Sequence, residues 1–260
     1  MPLTNALNDI KADINVFYKA VGDLKLPLQV FLPPDFNETN KYKAVIAIHG
    51  GGWHSLKNTP INWNGGWMAN NVKYYAQKGY VGIVFSYRDI DFDENTDVGD
   101  ILSDCHDALK YIATNFLFLD KENTLLMGDS AGGHIALCLS MCLPDDIQPA
   151  IIPNKIALYN PVTDCACEKR KHCANNAIKY SPVHNIKRID SKILVMHGTK
   201  DTVVDIQDSQ HFLELMRLSG NDISMIEIPG ASHAFILFGY TAKEDDVIKA
   251  LKLTDEYFQL

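Results

Sequence analysis

Apolar and alternating runs recur along this chain, separated by stretches with helical spacing. The runs at 14–20 (INVFYKA), 27–32 (PLQVFL), 44–49 (AVIAIH), 81–87 (VGIVFSY), 124–128 (TLLMG), 155–160 (KIALYN), 192–197 (KILVMH) and 223–228 (ISMIEI) predict eight strands. Helical patterns fall at about 66–78, 99–116, 131–142 and 208–219, and a last one closes the chain at about 241–258. Strands that alternate with helices predict an α/β fold, a mostly parallel sheet covered on both faces, and the short link between the first two strands predicts an antiparallel hairpin. Residues 161–190 break the pattern. Polar and cysteine-rich, they predict a small lid-like excursion over the carboxyl edge of the sheet, the edge where such sheets bind ligands.

Composition narrows the choice. With 260 residues and 47% hydrophobic content, the chain can bury one large core, and a single domain over 1–260 is expected. A formal charge of −8, from 24 basic and 32 acidic residues, argues against a polyanion partner, and no basic run would track a nucleic-acid backbone. The N-terminus lacks the basic start and apolar core of a secretory signal, and no stretch approaches the roughly 20 apolar residues of a membrane span. A cytoplasmic protein with no membrane partner is expected, although a secreted protein trimmed of its signal would read the same; a homodimer is left open. Without an export signal the six cysteines are expected as reduced thiols. Cys138 and Cys142, four apart on a helix, share a face and are expected in the core. The cluster Cys165, Cys167 and Cys173, with His172 inside it, matches no common structural zinc spacing, so loop thiols and no metal are expected.

The stretch LLMGDSAGGHIALCLSM, 125–141, carries the first chemistry. A strand that reverses straight into a helix forces its central residue into a strained conformation with an outward side chain, and Ser130 sits at that centre. Gly128 and Gly132 flank it where a β-carbon would collide with the turn. A phosphate-cradling loop would use similar glycines, but the stretch has neither a phosphate-loop lysine nor G-x-G-x-x-G spacing. A serine needs a base, an orienting acid and a charge-stabilising pocket to act as a nucleophile. HGTKDTVV follows the strand at 192–197 and supplies Asp201; PGASHAF follows the strand at 223–228 and supplies His233. Serine, aspartate and histidine therefore come in order at successive strand ends. IHGGGW, 48–53, adds three glycines after a buried strand, and the amides of Gly51, Gly52 and Ala131 can converge on one oxyanion.

Together HGGGW, GDSAGGH, HGTKDTVV and GASHAF resemble the α/β-hydrolase superfamily, specifically the HGGG-type esterases related to hormone-sensitive lipase and to the bacterial acetylxylan and feruloyl esterases. The likeness spans almost the whole chain. It implies the α/β-hydrolase fold, with Ser130 as nucleophile, His233 as general base and acid, Asp201 as its partner, and Gly51, Gly52 and Ala131 as oxyanion donors. It implies two-step acyl transfer with no metal or organic cofactor. Two departures stand out: His134 replaces the asparagine of many lipase-like relatives, leaning toward carbohydrate esterases and formamidases, and Asp205 stands where a proline often follows DTVV, leaving a second carboxylate nearby. No large N-terminal cap is expected, so the site should be open. Trp53, Trp63 and Trp67, with Asn58, Asn62 and Asn64 in the same loop, are the candidate substrate contacts, suited to stacking on a sugar or hydroxycinnamoyl ring. Acetyl or feruloyl esters of plant saccharides are thus the expected substrates. An aryl formamidase or small peptidase with the same triad is the alternative, and a non-catalytic binding protein the third reading.

Overall fold

The computed structural model describes residues 3–4, 9–54, 66–143, 147, 149–166 and 177–260. All eight expected strands are present: β1 (Ile14–Val21), β2 (Leu24–Phe31), β3 (Tyr42–Ile48), β4 (Val81–Phe85), β5 (Leu119–Asp129), β6 (Lys155–Tyr159), β7 (Lys192–Gly198) and β8 (Ile223–Ile228). They form one sheet in the order β1-β2-β4-β3-β5-β6-β7-β8. The β1–β2 and β2–β4 pairs are antiparallel, and every pair from β4 to β8 is parallel. Among the described residues, five α-helices intervene or follow: α1 (Met68–Ala76), α2 (Val98–Asn115), α3 (Ala131–Met141), α4 (Ile206–Leu218) and α5 (Glu244–Phe258). None of the described helices is long and apolar enough to cross a membrane.

Successive side chains of a strand point to opposite faces, which sorts the core into two layers. In β3, Ala44, Ile46 and Ile48 pack with Ile101 and Ile112 of α2, Ile135 of α3 and Phe212 of α4. Val45 and Ala47 of the same strand pack with Met68 and Tyr75 of α1 and Val247 and Leu251 of α5. The middle of β3, residues 44–48, is therefore apolar at every position, and each fully buried isoleucine or valine stabilises the fold by about 1.5–3 kcal/mol relative to an exposed one. Close packing also fixes a glycine: a β-carbon at Gly82 would stand 2.5 Å from the Val72 carbonyl, where α1 crosses β4.

Two elements differ from the sequence reading. β5 begins at Leu119 rather than 124, because Tyr42 and Lys43 pair with Leu119 and Asp120 before the register shifts to Ala44 opposite Thr124. α5 begins at Glu244 rather than 241, the preceding residues being spent on turns that carry the chain from β8 back across the sheet edge. Of the excursion at 161–190, the residues 161–166 and 177–190 are described, and they hold one short 3-10 turn, Pro182–His184.

Candidate active site

β5 ends at Asp129, α3 starts at Ala131, and Ser130 makes the whole connection with φ 52°. A serine in that left-handed region costs about 1–3 kcal/mol of backbone strain. The surroundings hold it there: Ser130 N donates to the Tyr159 carbonyl at 2.9 Å, while the Ser130 carbonyl accepts from His134 N at 3.1 Å and Val162 N at 3.3 Å. Space dictates the glycines. A β-carbon at Gly128 would lie 2.5 Å from the Gly132 carbonyl, one at Gly133 would lie 2.8 Å from Pro161, and one at Gly132 would overlap the Ile48 carbonyl of the neighbouring strand.

His233 and Asp201 arrive from the ends of β8 and β7. Asp201 Oδ2 accepts from His233 Nδ1 at 2.7 Å, and a carboxylate can only accept, so the ring proton sits on Nδ1. That leaves Nε2 as the acceptor for the Ser130 hydroxyl, 3.0 Å away. The other oxygen of Asp201 accepts the backbone N–H of Val203 at 2.8 Å and Val204 at 2.9 Å, and His197 Nε2 lies 3.3 Å from Oδ2. Burial pushes the Asp201 carboxyl up, but the hydrogen bonds from His197, His233 and the Val204 amide outweigh it and hold the group well below the usual carboxylate range. Asp205, the second candidate carboxylate, is instead the N-cap of α4 and accepts from Gln207 N at 3.0 Å. The structure brings Ser130, His233 and Asp201 together and leaves Asp205 outside.

The glycine loop meets the same point. Gly51 (φ 113°) and Gly52 (φ 65°) both adopt left-handed backbone, and a β-carbon on Gly50 would collide with the Asp129 carbonyl at 2.7 Å. His49 anchors the loop: its Nδ1 donates to the Gly50 carbonyl at 2.7 Å, its ring stacks on Tyr87 at 4.4 Å, and Tyr87 Oη donates to its carbonyl at 2.8 Å. Burial lowers the His49 pKa to about 4, so the ring stays neutral. Ala131 follows Ser130 at the start of α3 and is fully buried.

A pocket of about 260 Å³ opens over Ser130 and His233, with Gly51 and Gly52 on one side and Trp67, Met68, Leu237 and Tyr240 supplying apolar wall. Of the three candidate indoles, Trp67 lines this pocket. Trp63 lies outside the described residues, as do Asn58, Asn62 and Asn64. Trp53 is a correction to the expected substrate contacts: it is only 2% exposed, stands edge-on to the His134 ring at 5.1 Å and donates from Nε1 to His134 Nδ1 at 3.3 Å. Its backbone is left-handed (φ 64°), and its indole belongs to the core cluster on the α2 and α3 face of the sheet.

His134 is correspondingly a packing residue. Its Nε2 donates to the Tyr180 carbonyl at 2.6 Å, and the sulfurs of Cys138 and Cys165 lie 3.4 Å and 3.2 Å from the same nitrogen. Cys138 and Cys165 are buried, Cys142 is half-buried, and Cys167, His172 and Cys173 lie outside the described residues. Among the described residues no group of three or more histidine, cysteine or acidic side chains is arranged to hold a metal ion.

Two side chains beside the triad carry no role in the sequence reading. Asp129, 2% exposed, lines the pocket next to the serine; burial pushes its carboxyl up to about 6 against the pull of His233 and of the Asn160 amide. Asn160 is fully buried with φ 40°. Asp129 was visible inside GDSAGGH, whereas Asn160 merely ends a strand run.

Comparison with known proteins follows the same lines. The BD-FAE family model matches residues 28–151, and the prolyl oligopeptidase family model matches 156–259. A thermophilic esterase of the planctomycete Thermogutta terrifontis, Est2, solved with propionate, superposes with a TM-score of 0.81 at 27% identity, covering 96% of this chain and 94% of that one. An acetylxylan esterase of Xylanibacter ruminicola is 24% identical over 235 residues, 82% of this chain and 44% of the relative. A probable carboxylic ester hydrolase of Mycobacterium tuberculosis, LipM, is 22% identical over 241 residues, 82% of this chain and 54% of the relative. The chain spans about half or less of the length of the first curated relatives it matches.

Proposed function

We propose that the chain, an α/β hydrolase by its fold and by its likeness to solved esterases, is a serine carboxylesterase acting on short-chain or aromatic acyl esters, with acetyl or feruloyl groups on plant saccharides as the substrate class. The observation that carries the reading is the hydrogen-bonded series from Ser130 Oγ to His233 Nε2 at 3.0 Å and from His233 Nδ1 to Asp201 at 2.7 Å, opening on a pocket beside the glycine loop.

Ser130 attacks the ester carbonyl as His233 Nε2 takes the hydroxyl proton; the new C–O bond pushes electrons onto the carbonyl oxygen, which the amides of Gly51, Gly52 and Ala131 stabilise. The oxyanion collapses, the alkoxide departs with the proton from His233, and the acyl group stays on Ser130. Water, deprotonated by the same imidazole, then attacks the acyl-serine and releases the acid. Asp201 stays ionised throughout and stabilises the imidazolium.

A pocket of about 260 Å³ suits a small acyl group, and the structural relative Est2 was solved with propionate and with butyrate. Each further CH₂ left in water forgoes about 0.8 kcal/mol, so kcat/KM on p-nitrophenyl esters should decline beyond about eight carbons. The test sets that series beside acetylated xylo-oligosaccharide and methyl ferulate. Activity that rises to palmitate, with none on either plant ester, would overturn the substrate class.

A second reading, amide hydrolysis, draws support from the match of 156–259 to the prolyl oligopeptidase family and from 30% identity over 131 residues to a probable dipeptidyl-peptidase 5 of Aspergillus terreus, of which this chain covers 17%. N-formylkynurenine and a dipeptidyl anilide added to the same panel decide between ester and amide.

A further inference from the structure

The two reacting side chains hang on different loops, and the residues next to them in sequence are tied by one side chain. Asn160 Nδ2 donates to Asp129 Oδ1 at 3.0 Å, and Asn160 Oδ1 accepts from Ala234 N at 3.1 Å. Asp129 immediately precedes Ser130, and Ala234 immediately follows His233. The amide thus spans from the end of β5 to the loop after β8, groups 31 and 74 residues away along the chain.

Its own placement is costly and well supported. Asn160 sits just past β6 with φ 40°, a region that asparagine tolerates better than most residues, and its N–H donates to the Met196 carbonyl of β7 at 2.8 Å. The residues around it grip the elbow as well: Tyr159 takes the N–H of Ser130, and Val162 donates to the Ser130 carbonyl. Ala234 is also left-handed at φ 60°, so the base loop reaches the amide only by adopting strained backbone. Asp129 extends the tie further, since its Oδ2 lies where a β-carbon on Gly50 would come within 2.8 Å, against the glycine loop.

We propose that Asn160 is a positioning residue that sets the distance between Ser130 and His233, by holding the residue before the nucleophile and the residue after the base with the two ends of one amide. The inference rests on the ester-hydrolase reading. A buried amide satisfied at both ends has one arrangement, and displacement of a base by about 1 Å costs on the order of 100-fold in rate. Asn160 itself does not line the pocket, so the effect is expected in kcat rather than in KM.

The experiment compares wild type, Asn160→Gly and Asn160→Asp. Glycine accepts the left-handed backbone and deletes both hydrogen bonds; aspartate tolerates it too and keeps an acceptor for Ala234 N, but it replaces the donor to Asp129 with a second carboxyl oxygen at about the same place. Competent sites are counted by fluorophosphonate incorporation after long exposure, and kcat and KM for p-nitrophenyl acetate are expressed per labelled site. The expected result is a fall in kcat of about 10- to 100-fold in the glycine variant with KM within about twofold, and a fall at least as large in the aspartate variant, where two buried carboxyls face one another. Wild-type kcat per labelled site in both variants, or a loss explained wholly by fewer labelled sites, would overturn the positioning role. If wild type itself neither labels nor turns over, the ester-hydrolase reading falls, and the positioning role falls with it.

Discussion

Asp201 and His197 face one another at 3.3 Å inside the protein, both side chains fully buried, so the carboxylate that meets His233 is also braced from behind. His197 is fixed in turn by Ser209, whose hydroxyl lies 2.8 Å from its Nδ1, and its Nε2 also lies 3.1 Å from the Val204 carbonyl. The Asp201 carboxylate is therefore held by two imidazoles and two backbone amides.

Asp201→Asn should lower kcat/KM for p-nitrophenyl acetate by about 10⁴-fold, because an amide at that position favours the wrong tautomer of His233. Asp205→Asn, a change to a solvent-facing helix cap, should leave kcat/KM within about twofold and cost well under 1 kcal/mol, since asparagine caps as well as aspartate. Steady-state kinetics on the two variants checks both, and the larger loss at Asp205 would reassign the acid.

Asp129 should reveal itself in stability against pH. Its folded-state pKa of about 6 exceeds the ordinary 3.8, so the native state binds the proton more tightly and stability falls as pH rises from about 4 to about 6. His49 works in the opposite direction. Its folded value of about 4 lies below 6.5, the unfolded chain takes the proton first, and stability rises with pH across that window. Asp129→Asn, which keeps an acceptor for Asn160, should therefore be more stable than wild type at pH 7.5 by up to about 3 kcal/mol and close to it at pH 4. Urea denaturation at the two pH values measures this, and equal differences at both would show that the carboxyl is not perturbed.

Gly132→Ala drives a methyl into the backbone of β3 at Ile48, which cannot retreat without breaking the sheet. A loss of about 3 kcal/mol or more is expected, at the upper end of overpacking effects. Gly22→Ala offers the contrast: its β-carbon meets nothing within 4 Å, and only the φ of 58° penalises it, by about 1–2 kcal/mol. Thermal unfolding of the pair separates steric from conformational demand.

The sheet was readable from the sequence because its inner strands carry apolar runs, such as 44–48 and 81–85, and its edge strand β1 alternates. β5 was read short, since in LDKEN the single apolar residue, Leu119, is followed by four polar ones. The meeting of Ser130, His233 and Asp201 was readable because Asp201 and His233 each follow a strand end in the order that the elbow requires. Trp53 was misread: spacing places an indole in a loop but does not say which way it faces. Asn160 was invisible for a different reason, as its partners lie far away in sequence and meet it only when β5, β6 and β8 align.

The central claim is that Ser130 is the nucleophile that carries the acyl group. Intact-mass and peptide mapping of the protein after treatment with paraoxon tests it most directly, a reagent with which the structural relative Est2 has been phosphorylated. The account predicts one diethylphosphoryl group per chain, on Ser130, appearing in step with loss of p-nitrophenyl acetate hydrolysis and absent from Ser130→Ala. Hydrolysis that persists with Ser130 fully modified, or a Ser130→Ala variant that keeps wild-type turnover, would contradict it.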